Sequence, residues 1–362
     1  MPSLISRRRR QDAFNALWQR YVEEHGEPIS AAAAVILAEH LYMENRYFCP
    51  KTWSVSPFSQ QNADFLNGLF AGDSIRFYEY TRMTRDCFSY VLRKIEGCEE
   101  FSSGLMGPKH RTSVALQLFT FCYTLGKGSD SRASSVVATL SHGSVHAIMG
   151  RVGKAIITSL EEEEIRWPNS SERAEIKEVF ALKGFPNAIG CVDGTQVQLK
   201  HKLTYAGVPT RDRKGHWSLK AIVVCDHKRR ITAAYVGFLG NAHDSKCFKS
   251  TPIFTEAEAY FANNEYLLGD AGFQRSPQMM TPVTLRSGPS AEGNASFNQA
   301  LSSARSRIEN VFGMVKQRWA GIDPLRVRSY ERQLVYCKCA FILHNVCIRH
   351  NNDPLLQLPR NV

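Results

Sequence analysis

The sequence predicts an α/β protein in which an all-α region precedes a mixed sheet with flanking helices. Two observations predict this class. Residues 56–180 carry apolar residues at helical spacing almost throughout, and from Asn187 the apolar spacing changes to two. Helical segments then alternate with the strand segments, so helices are expected to cover the sheet.

Composition and charge indicate the class of partner. The chain has 362 residues, 43% apolar and 22% charged, which suits about two or three globular domains. Its net charge of +11 and pI near 9.2 favour a polyanionic partner, nucleic acid before membrane. From Asp193 to Tyr330 there are 19 basic and 11 acidic residues, a surplus of +8. A nuclease and a bare nucleic-acid binder would both have this surplus.

Residues 1–55 form a basic, helical N-terminal extension. The run Arg7–Arg10 has three readings that the sequence leaves open: a nuclear localisation signal, a phosphate-binding arm or a solvated terminus. No apolar core follows it as in a secretory signal, and no apolar run reaches the roughly 18 residues of a membrane helix. We therefore expect an intracellular protein without a membrane span.

Residues 56–180 are expected to form a helical domain with a helix-turn-helix-like segment at about 130–158. There a short helix (about 132–140) and a Ser-His-Gly turn precede a longer helix with apolar residues at 3.6 spacing. The outer face of this second helix would present Ser144, His146, Arg151 and Lys154. DNA recognition and an ordinary packed helix pair both remain open.

Residues 187–350 are expected to form the second domain, and 351–362 a C-terminal tail. The first strand is the apolar run 188–192, with Asp193 at or near its end; Asp226 to Arg230 then turn a hairpin. The elements expected after the hairpin are helices over 243–254 and 256–264 with Asp244 or Ser245 as an N-cap, strands at 266–270 and 279–283, a loop at 286–296, and helices at about 297–320 and 331–350. This order matches an RNase H-like core.

Three carboxylates are the candidate catalytic and metal-binding residues. Asp193 closes an apolar strand, Asp270 stands between Gly269 and Gly272, and Glu309 lies in a long helical pattern. Carboxylates are rarely buried unless they are paired or hold a metal. Two competing readings stay open: Asp270 as an ordinary turn residue, and Glu309 as the i,i+4 ion-pair partner of Arg305.

Oxygen ligands of this kind suit a pair of Mg²⁺ or Mn²⁺ ions. Two such ions activate the attacking oxygen and stabilise the leaving oxygen of an in-line phosphoryl displacement. In this arrangement Asp193 would bridge both ions, Asp270 would hold one and Glu309 the other.

Four motifs in order resemble one known family. They are CVDGTQV, LGNAHDSKCF, LLGDAGF with TPV soon after, and ARSRIENVFGMVKQRW; Asp193 and Asp270 are 77 positions apart, and Asp270 and Glu309 are 39 apart. Together they resemble the DDE domain of the PIF/Harbinger transposases and the Harbinger transposase-derived nucleases, from about residue 110 to about 350.

The resemblance implies that Asp193, Asp270 and Glu309 are the metal-binding triad of an RNase H-like nuclease. His243 and Asp244 match a fourth family motif and would support the ligands, with a helix cap as the alternative. The sequence departs from the family pattern at three positions: Gln196 where His is frequent, and Ala271 and Phe273 where Ser and Tyr are usual. None of these removes a triad acid.

The resulting function hypothesis is a metal-dependent DNA endonuclease or transposase that hydrolyses phosphodiester bonds and joins the 3′ ends to target DNA if it still transposes. The alternative is a domesticated, inactive DNA-binding or scaffold protein; an intact triad favours the first. The resemblance also implies a Myb-like DNA-binding partner protein that helps nuclear entry, and we expect a homo-oligomer when active.

Basic residues outside the acids are the candidate DNA contacts. Beyond Arg151 and Lys154, which could read guanine, the candidates for phosphate contacts are Lys200, Lys202, Arg211, Arg213, Lys214, Arg229, Arg230 and Arg318.

Overall fold

The computed structural model describes residues 58–102, 112–201, 212, 215–283 and 291–350. These residues belong to one compact unit, Phe58–Val362. The predicted N-terminal extension with Arg7–Arg10, the tail 351–362 and the candidates Lys202, Arg211, Arg213 and Lys214 lie outside the described residues.

Twelve α-helices and five strands make up the described part of the chain. In chain order they are α1 Phe58–Ala71, α2 Ser74–Thr81, α3 Arg85–Ile95, α4 Val114–Lys127, α5 Ser131–Val137, α6 His142–Glu164, α7 Ser170–Ala181, β1 Ala188–Gln198, β2 Ser218–Cys225, β3 Ile231–Leu239, α8 Asp244–Lys249, α9 Pro252–Thr255, α10 Ala257–Tyr260, β4 Tyr266–Leu268, β5 Met279–Met280, α11 Ala291–Arg318 and α12 Tyr330–Arg349. None of the helices seen here has the length and apolar character to cross a membrane.

Local sequence explains most helix starts before β1. Asp130 and Ser141 accept hydrogen bonds from the backbone N–H groups of the first turns of α5 and α6. Asn169 and Glu172 form a capping box at the start of α7. Helix α5, a four-residue connection and α6 therefore follow the expected helix-turn-helix-like order.

The five strands form one mixed sheet in the order β3-β2-β1-β4-β5. The hairpin partners β1, β2 and β3 pair antiparallel, whereas β4 and β5 add in parallel next to β1. Helices cover both faces. The expected α/β class with a mixed sheet and flanking helices is confirmed, and the arrangement is consistent with an RNase H-like domain.

Two apolar clusters lie on the two faces of the sheet. The smaller one joins Val192, Ile222 and Leu267 to Phe248 and Phe273 on the side of α8–α10. The larger cluster joins the opposite face to α11, α12 and the helices before β1. The helical region and the sheet therefore share one core.

Asn345 of α12 connects three parts of this core. Its side chain is fully buried and donates hydrogen bonds to Glu164 O and Ile231 O, both 2.7 Å away, while its oxygen accepts from Ile231 N at 2.8 Å. One amide thus ties α12 to the end of α6 and to the start of β3.

Two local predictions were wrong. The helix after β3 begins at Asp244 with His243 as its N-cap, and no side-chain cap bond forms there, so neither Asp244 nor Ser245 caps it. The helix that carries Glu309 begins at Ala291, six residues earlier than predicted. Polar and small residues such as Gly293, Asn294 and Ser296 hid its first turns from the apolar pattern.

Candidate active site

Asp193 lies inside β1, not at its end. The strand runs on to Gln198, and Asp193 pairs with Val223 of β2. The predicted strand end was wrong because Asp-Gly is usually a turn signal, whereas here Thr195 and Val197 continue the buried alternation. The result is a carboxylate in the central strand of the sheet.

Two groups hold the Asp193 carboxylate. Oδ1 accepts a hydrogen bond from Gly194 N at 2.8 Å, and Arg305 Nη2 of α11 donates to Oδ2 at 3.0 Å. Burial raises the pKa of Asp193 to about 6, with smaller contributions from the repulsion of Asp270 and Asp244; the Arg305 charge and the Gly194 N–H oppose this rise. The buried Asp193 carboxylate is therefore less stable in its charged form than a carboxylate in water.

Asp270 follows the strand that pairs with β1 in parallel. In the register of this pair, Cys191 lies beside Leu268, so Asp193 and Asp270 each come two residues after the last matched pair. Neighbouring strands are about 4.8 Å apart. Asp270 Oδ1 accepts a hydrogen bond from Gly272 N at 2.8 Å, which fixes the turn after β4.

Asp244 occupies the space on the other side of β1 where a side chain at position 194 would lie. A Cβ added to Gly194 would be 2.0 Å from Asp244 Oδ1. Lys220 Nζ lies 2.9 Å from the same oxygen and also donates a hydrogen bond to Ala242 O. Asp244 Oδ1 therefore has a positively charged neighbour at ion-pair distance.

Glu309 is exposed on α11, one turn after Arg305. Residues four apart lie on the same helix face, about 6 Å along the axis. The alternative i,i+4 ion pair with Arg305 does not form, because Arg305 pairs with Asp193 across 112 residues of sequence. The role of Glu309 as a ligand stays a prediction.

The donor chemistry suits a divalent cation. Asp193 and Asp270 are hard oxygen donors on adjacent strands, and their mutual repulsion is relieved by a positive ion. Within the described ranges no three His, Cys, Asp or Glu side chains are close enough to form a metal site. In this structure Arg305 supplies the positive charge at Asp193.

Sequence reasoning missed Lys220 and the role of Arg305. Lys220 is 6% exposed in the middle of β2, between Leu219 and Ala221, both fully buried. A charged residue in an otherwise apolar strand was the available signal, because lysine is almost never buried without a partner. For Arg305 the local signal pointed to the wrong partner, Glu309.

The structure changes the list of candidate DNA contacts. Arg318 is 1% exposed, so it cannot reach a phosphate in this conformation, and its assignment as a DNA contact was wrong. Its helix ends against α12, which buries the guanidinium. Arg230 pairs with Glu172 and Asp226 at 3.3 and 3.6 Å. Arg229 is half-buried.

Two of the four side chains expected on the outer face of α6, Ser144 and Arg151, are partly buried, whereas His146 and Lys154 are exposed. Arg151 Nη1 donates to Gln117 Oε1 at 2.6 Å, and burial lowers the pKa of Arg151. His146 contacts Ser131 at 3.1 Å, and Ser144 lies 2.8 Å from Ser141. Lys154, like Lys200 after β1, is exposed.

Comparisons with known proteins agree with the resemblance. Residues 192–345 match a family model described as a DDE superfamily endonuclease. "Putative nuclease HARBI1" of Homo sapiens is 24% identical over 261 residues, covering 69% of this chain and 70% of the relative. "Protein ALP1-like" of Arabidopsis thaliana is 23% identical over 334 residues, covering 83% and 78%. No solved structure matches this chain.

Proposed function

We propose, on the premise that residues 192–345 form a DDE superfamily endonuclease domain homologous to HARBI1 and ALP1-like proteins, that this protein is a divalent-metal-dependent DNA endonuclease with an RNase H-like core. The observation that carries the proposal is the parallel register of β1 and β4, which sets Asp193 beside Asp270. Joining of the freed 3′ ends to target DNA would follow if the protein still transposes.

In this mechanism Asp193 and Asp270 would hold Mg²⁺ or Mn²⁺ ions, and Glu309 would contribute a third carboxylate from α11. The ions supply charge stabilisation for the attacking and leaving oxygens. Arg305 Nη2 lies 3.0 Å from Asp193 Oδ2 and balances the charge of this carboxylate in the structure. Asp244 and Lys220 support the strand next to Asp193 as an ion pair behind Gly194.

The experiment that tests this function measures cleavage of plasmid and linear DNA by the purified chain with Mg²⁺, with Mn²⁺ and with EDTA. Asp193→Asn, Asp270→Asn and Glu309→Gln should each reduce cleavage at least 100-fold. Glu292→Gln, an exposed acid on the same helix as Glu309, is the matched control and should cleave normally.

Circular dichroism and thermal unfolding check that each variant is folded. Near-normal cleavage by any triad variant would remove that residue from the ligand set. A wild-type chain that binds DNA but does not cleave it with either metal would support the alternative, an inactive DNA-binding or scaffold protein.

We also propose that specific site selection and nuclear entry need a second DNA-binding protein of the Myb-like class. The support is the small number of base-reading groups on α6, since Arg151 is held by Gln117 and Lys154 remains exposed. Each good bidentate contact gives about 1–3 kcal/mol of discrimination, which is little against the competing sites of a genome.

Footprinting of the purified chain on its own candidate target DNA tests this dependence. We expect weak sequence preference by the chain alone at physiological salt. A sharp footprint without any partner protein would contradict the proposal, as would nuclear accumulation of the chain expressed without a partner.

A further inference from the structure

A cavity of about 350 Å³ lies between the helical region and the end of β1. Helices α4, α5 and α6 form one wall, and the residues after β1, the segment 321–327 and Tyr336 of α12 form the other. Asp193 is five residues before the end of β1, about 17 Å at the usual rise of a strand. The cavity is therefore separate from the carboxylate site, yet within reach of the same DNA.

Backbone contacts hold the two walls together. Gly321 N donates to Leu125 O at 2.7 Å, and a Cβ at Gly321 would lie 2.7 Å from that oxygen. On the other side, Lys200 N donates to Leu325 O at 2.8 Å. Gly128 ends α4 in the left-handed region with φ of 62°. These contacts make the cavity preformed, as small-molecule sites usually are.

The interior suits a flat ring with polar edges. Leu125, Met149, Val327 and Tyr336 supply apolar surface. The Ser131 hydroxyl lies between His142 Nε2 at 2.6 Å and His146 Nε2 at 3.1 Å, so hydroxyl and imidazole groups can donate and accept hydrogen bonds at one end. Apolar walls with a few convergent polar groups recognise aromatic heterocycles such as nucleobases.

The rim carries positive charge. Lys200 and Arg326 line the cavity, and Asp130 is the one acid among the described lining residues. Lys200 and Arg326 are exposed to solvent. A base inside the cavity would therefore place its phosphate among cationic groups.

We propose that this cavity takes up one unstacked nucleotide of the DNA on which the carboxylate site acts. The base enters between Met149 and Val327, and its phosphate contacts Lys200 and Arg326. This inference rests on the proposed function, since it needs DNA along this surface. A free nucleoside monophosphate has the same base-and-phosphate chemistry, so the test must separate the two sources.

The test uses three DNA duplexes and the full chain in EDTA, which prevents cleavage. One duplex is fully paired, one carries an extra unpaired 2-aminopurine nucleotide, and one carries an extra abasic residue. An unpaired base is the cheapest to take out of the stack. We expect about tenfold tighter binding of the unpaired base than of the abasic residue, and protection of its fluorescence from acrylamide quenching.

Val327→Phe, which fills the cavity, should abolish this tenfold preference and leave binding of the paired duplex unchanged. Val136→Phe is the matched control, because Val136 is 78% exposed on α5 and does not line the cavity. If Val327→Phe fails to fold, the acrylamide protection measured on the wild-type chain decides the question.

Each other outcome overturns the inference in a recognisable way. Equal affinity for the base and the abasic residue, without fluorescence protection but with normal binding of paired DNA, overturns the cavity's role while the proposed function stands. Binding of free dAMP that is lost in Val327→Phe, without any preference for the unpaired base, overturns DNA as the source. Failure to bind any duplex overturns the proposed function and this inference together.

Discussion

At the scale of single residues, Gly194 allows the Asp244 carboxylate to lie against the central strand next to Asp193. Its lack of a side chain leaves room for Asp244 on one side of β1, while Asp193 points to Arg305 on the other. Lys220 beneath Asp244 is buried, and its Nζ lies 2.9 Å from Asp244 Oδ1. Removing one partner of such a partly buried pair leaves an uncompensated charge. The resulting loss of stability is larger than the net stabilisation that the pair provides.

Gly194→Ala should lower the free energy of unfolding by about 1–3 kcal/mol, since the added methyl group overlaps Asp244 and displaces it from Lys220. Chemical denaturation measures this. In the background Asp244→Ala the same substitution should cost much less, because the overlap is gone. Gly313→Ala on α11 is the control, since its Cβ meets open space and alanine favours the helix. An equal cost of Gly194→Ala in both backgrounds would contradict this explanation.

The three candidate acids could be recognised from sequence because each interrupts an apolar pattern or matches a motif. The continuation of β1 beyond Asp193 could not. Gly194 is tolerated inside the strand because a residue 50 positions later fills the space beside it. The Arg305 contact spans 112 positions. Local sequence patterns describe only residues that are close along the chain, whereas both of these contacts join residues that are far apart in the sequence.

At the scale of elements, α12 is the most buried of the helices that follow β1, and it carries a titratable group in the core. His344 is fully buried, and its Nε2 lies 3.0 Å from Arg229 O. Since a carbonyl only accepts, Nε2 must carry the proton. Burial, with the charge of Arg318, lowers the pKa of His344 to about 3. The imidazole is therefore neutral in the folded protein.

This burial predicts a loss of stability in acid. The unfolded chain binds a proton at His344 near its ordinary pKa of about 6.5, whereas the folded chain does not until about pH 3. The contribution of His344 to the free energy of unfolding is fully present above the pKa of the unfolded chain, and it is lost as the pH falls towards 3. Between pH 7 and pH 5 the expected loss is about 2 kcal/mol.

Unfolding free energies of wild type and His344→Gln at pH 7, 6 and 5 measure this loss. Glutamine can still donate to Arg229 O but does not titrate, so the variant should show a pH dependence smaller by about 2 kcal/mol over this range. His216→Gln is the control, because that imidazole has 55% of its side chain exposed. Parallel pH profiles of wild type and His344→Gln would contradict the assignment.

The period of the apolar residues predicted α11 and α12 as helices, but it also led to the wrong prediction that Arg318 is exposed to solvent. The stripe of α11 was read from its apolar residues alone, and a guanidinium near its end was taken as polar surface. In the structure Arg318 is 1% exposed, and its side chain is hydrogen-bonded to Cys347 of α12. The fold decides which helix covers which face. The period of the apolar residues therefore identifies a helix more reliably than it identifies the elements packed against that helix.

At the scale of the whole molecule, the positive surplus predicts salt-sensitive DNA binding. Arg318 is buried and Arg230 is paired, so the contacts are expected from other basic residues. Of the candidates predicted from the sequence, Lys154 and Lys200 are exposed in the described part. Each phosphate contact releases counterions and adds about −0.9 to the slope of log affinity against log salt. Several contacts therefore give a steep slope.

Fluorescence anisotropy between 50 and about 300 mM salt measures this slope, which should be about −4 if four to five contacts form. Lys200→Gln should make the slope less steep by about 0.9, the contribution of one phosphate contact. Lys338→Gln is the control, since Lys338 already pairs with Glu161 at 2.7 Å. A flat dependence would mean that the basic surplus is not a DNA footprint.

The amide of Asn345 has a consequence for biosynthesis. Its hydrogen bond to Glu164 O joins residues 181 positions apart, and its bonds to Ile231 join α12 to the sheet. A ribosome that adds about 5–20 residues per second makes α6 many seconds before α12. During that interval the apolar face of α6 that α12 will cover is exposed to other nascent chains, so chaperone binding to unfinished polypeptides should concentrate on this helix until translation reaches α12.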